Sequence, residues 1–382
     1  MNETGGIPRA AAIAVGDLLD KCCRIEPGQE VLILAHTDGL YGGDNMVDTS
    51  AVAWIEAGVK FRGANASVLW IDEPARAHAW RFPPIAKAAM GAADLIINHS
   101  FDLVMEEMLE FRAAVYANKK VMVRNFATTA PLLCTYWAQT PYELVSEIRY
   151  RSSLPIQPGL RWKLSDPNGT DMEGVILPSN IPSFSSYSMR RDQSYTKPWP
   201  EWVHPPVVLG DTEGVFVFDA MLSWWSRYIG ISPHFEKPIR LTVRENRIVK
   251  IEGGAEAEAL SRFLALMKER VGDGVYGFDE MHFGVHPQAA VAPHQCPNVL
   301  HRRLIEHSHA RCLHAHVGAP RKTPEYPYWL HITADIFNAT FQVGDTLVYD
   351  KGHLTALDDP KVIEVAEKYP GRPGLAPMPR SW

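Results

Sequence analysis

Cysteine is scarce in this chain. There are five in 382 residues, an odd number with Cys22 and Cys23 adjacent, so no disulfide framework is expected and a reducing cytoplasm is the default compartment. No C-x-x-C pair exists, which sets aside a structural zinc site built on Cys296 and Cys312. No apolar stretch reaches the roughly 18 residues that span a bilayer, so no membrane partner is expected. The start, MNETGGIPRAAAIAVG, has one arginine and a weak alanine-rich run and does not read as a signal peptide. Positive charge is in deficit, with 38 Lys+Arg against 44 Asp+Glu and no Lys/Arg run, so the basic footprint of a nucleic-acid binder is missing. Neither G-x-G-x-x-G nor G-x-x-x-x-G-K-[ST] occurs, and Gly39, Gly42 and Gly43 make neither. Hydride transfer and NTP hydrolysis thereby lose their usual signature. Hydrophobic residues are abundant at 46%, and 382 residues exceed one ordinary core, so two folded units are expected.

The first 150 residues alternate between two periods. Helical patterns at Pro8 to Ile25, Val47 to Ala57 and Pro84 to Ala92 are interleaved with the apolar runs Val31 to Leu34, Ser67 to Ile71, Asp94 to Ile97 and Lys120 to Val123. Short β-branched runs separated by helices predict βαβ units on a parallel sheet. Polar residues stand just after these runs: His36, Asp72, Glu73, His99 and Asn125. In open α/β sheets that edge gathers ligands, which makes His99 a candidate substrate contact. Beyond about residue 155 the strands come closer together. Ile239 to Val243 and Ile248 to Ile251 flank Glu245-Asn246 as a hairpin, and a long helix comes next over Ala255 to Val271. The fold class is therefore α/β. A Rossmann-like parallel-sheet unit over 1–155 precedes a mixed α+β unit over 156–382.

Histidine is concentrated in that second unit. Nine of the 15 lie between His282 and His331, a window of 50 residues. Alternation puts His282, Gly284 and His286 on one strand face, and His314 with His316 on another. In Trp329 to Ile336 one face is Leu, Ile, Ala, Ile, and the other carries Trp329, His331, Thr333 and Asp335. Neutral imidazoles converging from neighbouring strands suit a divalent metal. His294, His301, His307 and His309 fall in loop-like or helical sequence and are read as ordinary polar side chains.

These motifs carry a resemblance. After the parallel-sheet unit come Asp166-Pro-Asn-Gly-Thr-Asp-Met-Glu173 and Gly-Asp-Thr-Glu-Gly-Val-Phe-Val-Phe-Asp219. They are followed by His282-Phe-Gly, His314-Ala-His-Val-Gly318 and His331-Ile-Thr. The chain resembles the thermophilic aminopeptidase family (aminopeptidases T and S), with which two aromatic-degrading enzymes share a fold. These are 2,5-dihydroxypyridine 5,6-dioxygenase and 5-nitroanthranilic acid aminohydrolase. The resemblance implies a closed homo-oligomer and metal ligation by His282, His331 and His314. His282 stands where the peptidases have a metal-binding Glu and the dioxygenase an iron-binding His. His331 opens a His-x-Asp motif whose third position is here Thr333. His204, in Trp202-Val-His-Pro-Pro206, is the nearest counterpart of a peptidase Glu.

Thr333 removes an expected carboxylate, and Asp335, two residues on, is the candidate replacement. A site poor in carboxylate does not suit two metals and disfavours a two-His-one-carboxylate iron centre. The first expectation is therefore one divalent transition metal (Mn, Zn, Co or Fe) activating water to remove the amino group of a small aromatic amine, with His314 and His204 assisting catalytically. The alternative is an Fe(II) ring-cleaving dioxygenase; a metalloaminopeptidase ranks third, and a binding protein with a decayed site last. Arg190 and Arg191 are candidates to hold a ring carboxylate by a bidentate fork, and Trp199, Trp202, Trp224, Trp225 and Tyr328 to wall a flat pocket.

Overall fold

The structure, a computed structural model, describes residues 6–36, 47–71, 83–99, 115, 121–178, 195–200, 203–204, 206–222, 225–226, 229–318, 330 and 332–379. A helix, Arg9–Gly16, runs into a wider π-helical stretch, Asp17–Cys23. Next come β1 (Glu30–His36), the helix Thr49–Phe61, β2 (Asn65–Ile71), the helix Pro84–Ala92, β3 (Leu95–His99) and β4 (Val121–Asn125). β5 (Arg161–Ser165) and β6 (Asp171–Ile176) open a second sheet, after which β7 (Tyr195–Trp199) returns to the first. The first sheet is parallel throughout, in the order β2-β1-β3-β4-β7.

Both faces of this sheet are covered, which is why its strands read as unbroken apolar runs rather than as alternation. Leu32, Leu34, Ile96 and Met122 pack with Ala86 and Met90 of the helix Pro84–Ala92. Val31, Ile33, Ile97 and Val123 point into the main core on the other side. β7 belongs to this sheet although it lies 40 residues beyond the expected boundary at 155, so the chain crosses between its two units more than once.

The second sheet is antiparallel and larger. It adds β8 (Val207–Met221), β9 (His234–Arg244), β10 (Arg247–Glu252), β11 (Glu280–Phe283), β12 (Cys312–Val317), β13 (Ile332–Phe337), β14 (Thr340–Val343), β15 (Thr346–Asp350) and β16 (His353–Leu354). The order is β11-β12-β13-β8-β6-β5-β14-β15-β16, with β9 on β8 and β10 on β9. The hairpin expected at Glu245-Asn246 is present, with φ of 49° and 61°, the left-handed pair that a tight hairpin turn needs. The helix Ala255–Val271 also matches expectation. Glu256 and Glu258 sit in its first turn and Lys268 and Arg270 in its last, complementing the helix dipole.

The long strand β8 touches two of the histidine-bearing strands' neighbours at once. Its start pairs with β11 through Val207 and Val208, and its end pairs with β13 through Ala220 and Met221. The strands β11, β12, β13 and β8 therefore close a circuit. Gly284, just past β11, lets the turn at Ser308-His309 lie against it, because a Cβ there would overlap the His309 carbonyl oxygen and stand 2.5 Å from the Ser308 carbonyl carbon. No side chain can yield to relieve such a backbone clash. We expect Gly284→Ala to lower stability by about 1–3 kcal/mol, read as a drop in the thermal midpoint by circular dichroism; an unchanged midpoint would mean that this close approach is not required.

Candidate metal centre

Strand pairing builds the site. Antiparallel register sets His282 of β11 opposite His314 of β12, and His314 opposite Asp335 of β13. Asp335 lies opposite Ala220 of β8, which lies opposite His234 of β9. One row of side chains therefore crosses five strands. In the adjacent row His316 is opposite Thr333, and Glu280 comes level with His316 one step further along the β11–β12 pairing. Since residues two apart share a face, both rows lie on the same side. The reverse side carries Met281, Phe283, Leu313, Ala315, Val317, Ile332, Ala334 and Ile336, all in the main core. The division of β13 into an apolar and a polar face, expected from alternation, holds over the described residues.

The polar face is itself buried. Glu280, His282, His314, His316, Thr333 and Asp335 are each at most 8% exposed, which is dry for so many polar groups. The rings crowd together. His282 stacks on His314 with centroids 5.1 Å apart, His282 and His316 are 4.6 Å apart, and His307 and His314 3.9 Å. His282, His314 and His316 each offer a ligand atom within 4.8 Å of the others, as do His307, Cys312, His314 and Asp335.

Hydrogen bonds orient the set. His282 Nδ1 lies 2.8 Å from the backbone oxygen of His204, and its Nε2 lies 2.9 Å from Glu280 Oε1. His316 Nδ1 lies 2.7 Å from the same Glu280 oxygen. Burial pushes the Glu280 carboxyl up, and hydrogen bonding to His282 and His316 more than reverses this, holding it below the usual carboxylate range. Burial and the neighbouring His282 ring hold His316 down at about 4, so its ring is neutral. The Thr333 hydroxyl is buried with no hydrogen-bond partner among the described residues.

One end of the face is anchored by charge. The helix Val299–Glu306 is capped by Asn298, whose side chain accepts from the Leu300 and His301 amides. Arg303, Glu306 and His307 come at spacings that align them on one side. Arg303 donates to Asp335 Oδ2 and, at 3.4 Å, to Glu306; His307 Nδ1 lies 3.1 Å from Asp335 Oδ1. Burial alone would raise the Asp335 pKa, but Arg303 and His307 outweigh it and keep the carboxylate ionised. Burial dominates at His307 and lowers its pKa despite Asp335.

The sequence-based candidates fare unevenly. His282, His314 and Asp335 do come together. The His204 side chain stacks on Phe283 at 4.2 Å, while its carbonyl holds His282. His99, at the end of β3, is buried beside Asn125, 3.2 Å from its amide nitrogen. His331, Arg190, Arg191, Tyr328, Trp202 and Trp224 lie outside the described residues. Trp199 and Trp225 are buried in the main core. Three members of the cluster were not among the candidates. Alternation on β11 was available for Glu280, and His316 already shared a face with His314. His307, read as an ordinary helical histidine, is instead part of the cluster, because the end of its helix is folded against Asp335.

A buried set of imidazoles, one group of which includes the Asp335 carboxylate, fits a divalent transition metal, which takes nitrogen and carboxylate oxygen together. Fold and side chains thus define a parallel sheet joined to an antiparallel one that carries a buried cluster able to hold a metal. The chain belongs to the 2,5-dihydroxypyridine 5,6-dioxygenase family (NicX), whose model matches residues 17–314. Among solved structures it is similar to 2,5-dihydroxypyridine dioxygenase from Pseudomonas putida KT2440, at 15% identity and a TM-score of 0.65, covering 91% of this chain and 98% of that one. It is also similar to AmpT, an aminopeptidase T, from Thermus thermophilus, at 13% identity and a TM-score of 0.52, covering 90% and 98%. At these identities the structural likeness concerns the fold. No curated protein sequence matches the chain. Of the two aromatic-degrading reactions expected by resemblance, the family match favours ring cleavage over removal of an amino group.

The anchoring charges make a stability prediction. Arg303→Met would leave Asp335 and Glu306 buried without their cation, at a cost of about 3–5 kcal/mol. A matching fall in the urea midpoint is the expected result; a loss under about 1 kcal/mol would show that water reaches the pair.

Proposed function

We propose that this chain is a metal-dependent, ring-cleaving dioxygenase acting on a small hydroxylated nitrogen heteroaromatic. The observation that carries this reading beyond family membership is Glu280. The expectation of hydrolysis rested on a face poor in carboxylate after Thr333 took the place of an aspartate. A buried glutamate hydrogen-bonded to two histidines of that face removes the objection. Two histidines and one carboxylate are what an Fe(II) centre for O₂ chemistry uses, with coordination positions left for substrate and O₂. When bound, such a metal would let the ring and O₂ react while held together, and both oxygen atoms would enter the product without an external reductant.

The protein's own residues supply positioning and dryness. In this reading His282 and His331 bind the metal, His314 sits among the rings as ligand or proton carrier, and the His204 carbonyl fixes the His282 ring. His99, Arg190, Arg191 and Tyr328 are proposed to contact the substrate, the arginines gripping an anionic substituent by a forked pair of hydrogen bonds. The low exposure of the face supports this, since fixed dipoles act most strongly where water is excluded.

The test is an oxygen-electrode assay of the Fe(II)-loaded protein with 2,5-dihydroxypyridine and, separately, with 5-nitroanthranilate. One O₂ consumed per ring opened, and no turnover under argon, is expected for the dihydroxypyridine. His282→Ala should reduce that rate by at least about 10³-fold, the scale lost with one key electrostatic group. Ammonia release from 5-nitroanthranilate under argon would instead restore the hydrolytic reading.

A further inference from the structure

We propose that Asn125 is a positioning residue for His99. It fixes the hydrogen of the His99 ring on Nδ1, so that His99 meets the substrate as a hydrogen-bond donor to a ring oxygen and not as a base. The part His99 plays as a substrate contact rests on the proposed function; the fixing of its hydrogen does not.

Hydrogen bonding around Asn125 allows one arrangement. The backbone N–H of Ala127, which can only donate, meets Asn125 Oδ1 at 2.9 Å. That contact identifies the carbonyl end of the amide, and the other end, Nδ2, lies 3.2 Å from His99 Nε2. An amide nitrogen donates, so Nε2 must accept. A ring with its lone pair on Nε2 carries its hydrogen on Nδ1. The other states of the ring fail, because an Nε2 hydrogen, in a neutral ring or in an imidazolium, would face the hydrogens of the amide. Turning the amide over does not help, since Nδ2 would then face the Ala127 N–H. Both side chains are fully buried, so water does not relieve either conflict.

The place of the pair in the fold points it toward a ligand. β1 pairs with β2 on one side and β3 on the other, so the chain reverses its direction across the sheet at β1. Ligands of such sheets sit outside the carboxyl ends of the strands at that reversal. His99 is the last residue of β3, one residue beyond Asn98, and lies opposite Ala35 of β1. Ile33, Ile97 and Val123 face the main core, and two residues further on the same face continues as Ala35, His99 and Asn125. A polar pair thus ends an apolar face, on the side where His301 of the helix Val299–Glu306 hydrogen-bonds the backbone of Phe126. Further along that helix, by about 9 Å at 1.5 Å per residue, His307 stands in the histidine cluster. One helix therefore links the sheet end to the metal face. A ring with oxygens on opposite sides, hydrogen-bonded at one end and metal-bound at the other, can bridge that separation. An Nδ1 hydrogen suits such an oxygen, most of all when it is ionised.

The experiment joins ¹⁵N NMR of the histidine-labelled full chain to calorimetric titration of the Fe(II)-loaded protein with 2,5-dihydroxypyridine under argon. The His99 signals are those lost in His99→Gln. The wild-type spectrum should show a hydrogen on Nδ1 and none on Nε2, a test that needs no variant of Asn125. In Asn125→Asp both carboxylate oxygens accept, one from Ala127 and one from the ring, so the hydrogen should move to Nε2. Read where the spectra show both rings neutral, Asn125→Asp should bind the dihydroxypyridine at least about 10-fold more weakly, the scale of one buried hydrogen bond left unmade. Should Asn125→Asp lose the wild-type near-UV circular dichroism, His99→Phe, which keeps the ring and removes the donor, should show the same loss of binding. A hydrogen on Nε2 of wild-type His99 overturns the proposal, as does wild-type affinity in a chain whose ring is inverted or replaced. A wild-type chain with its hydrogen on Nδ1 that does not bind 2,5-dihydroxypyridine overturns the proposed function, and with it the substrate contact, while the fixing of the ring by Asn125 stands.

Discussion

The contact between His282 and Glu280 constrains everything around it. A ring nitrogen and a carboxylate oxygen face each other at 2.9 Å in a buried place while the other ring nitrogen faces the His204 carbonyl oxygen at 2.8 Å, so both acceptors take hydrogen bonds from one imidazole when it carries a hydrogen on each nitrogen. Water would separate the ring from the glutamate, but the strands hold both groups on one dry face. The fold therefore keeps a carboxylate hydrogen-bonded to two buried imidazoles.

Around this contact the rest of the face is held by register and charge. Antiparallel pairing makes His282, His314 and Asp335 neighbours across three strands although 53 residues separate the first from the last. Gly284 brings the end of the helix Val299–Glu306 against the sheet, so that His307 meets Asp335. Arg303 neutralises Asp335 from the same helix. A buried ion pair of this kind adds little net stability on its own, yet removing one partner is costly, so it fixes one geometry. Fixing geometry is what a metal site asks of its supporting residues.

Much of the fold was readable in the chain because its strands differ in pattern. Runs such as Val31 to Leu34 have no polar face, and their sheet proved to be parallel and covered on both sides. Thr333 and Asp335 alternate with Ile332, Ala334 and Ile336, and their strand proved to have one apolar and one polar face. The placing of β7 was not readable, since nothing in Tyr195 to Trp199 says which sheet it joins. At the site, His282 and His314 were each legible as a histidine on a strand face. Glu280 obeyed the same alternation but sat just before the stretch in which histidine draws the eye. His307 was not legible, because its part in the cluster depends on where a helix ends relative to a strand residue 28 positions later. That is a property of packing, and neither period 2 nor period 3.6 contains it.

Whether a transition metal sits among the histidines of this face is decided most directly by an anomalous difference map, collected at the iron edge from crystals grown anaerobically with Fe(II). One strong peak within bonding distance of His282 is expected. A map with no peak on this face would contradict the account.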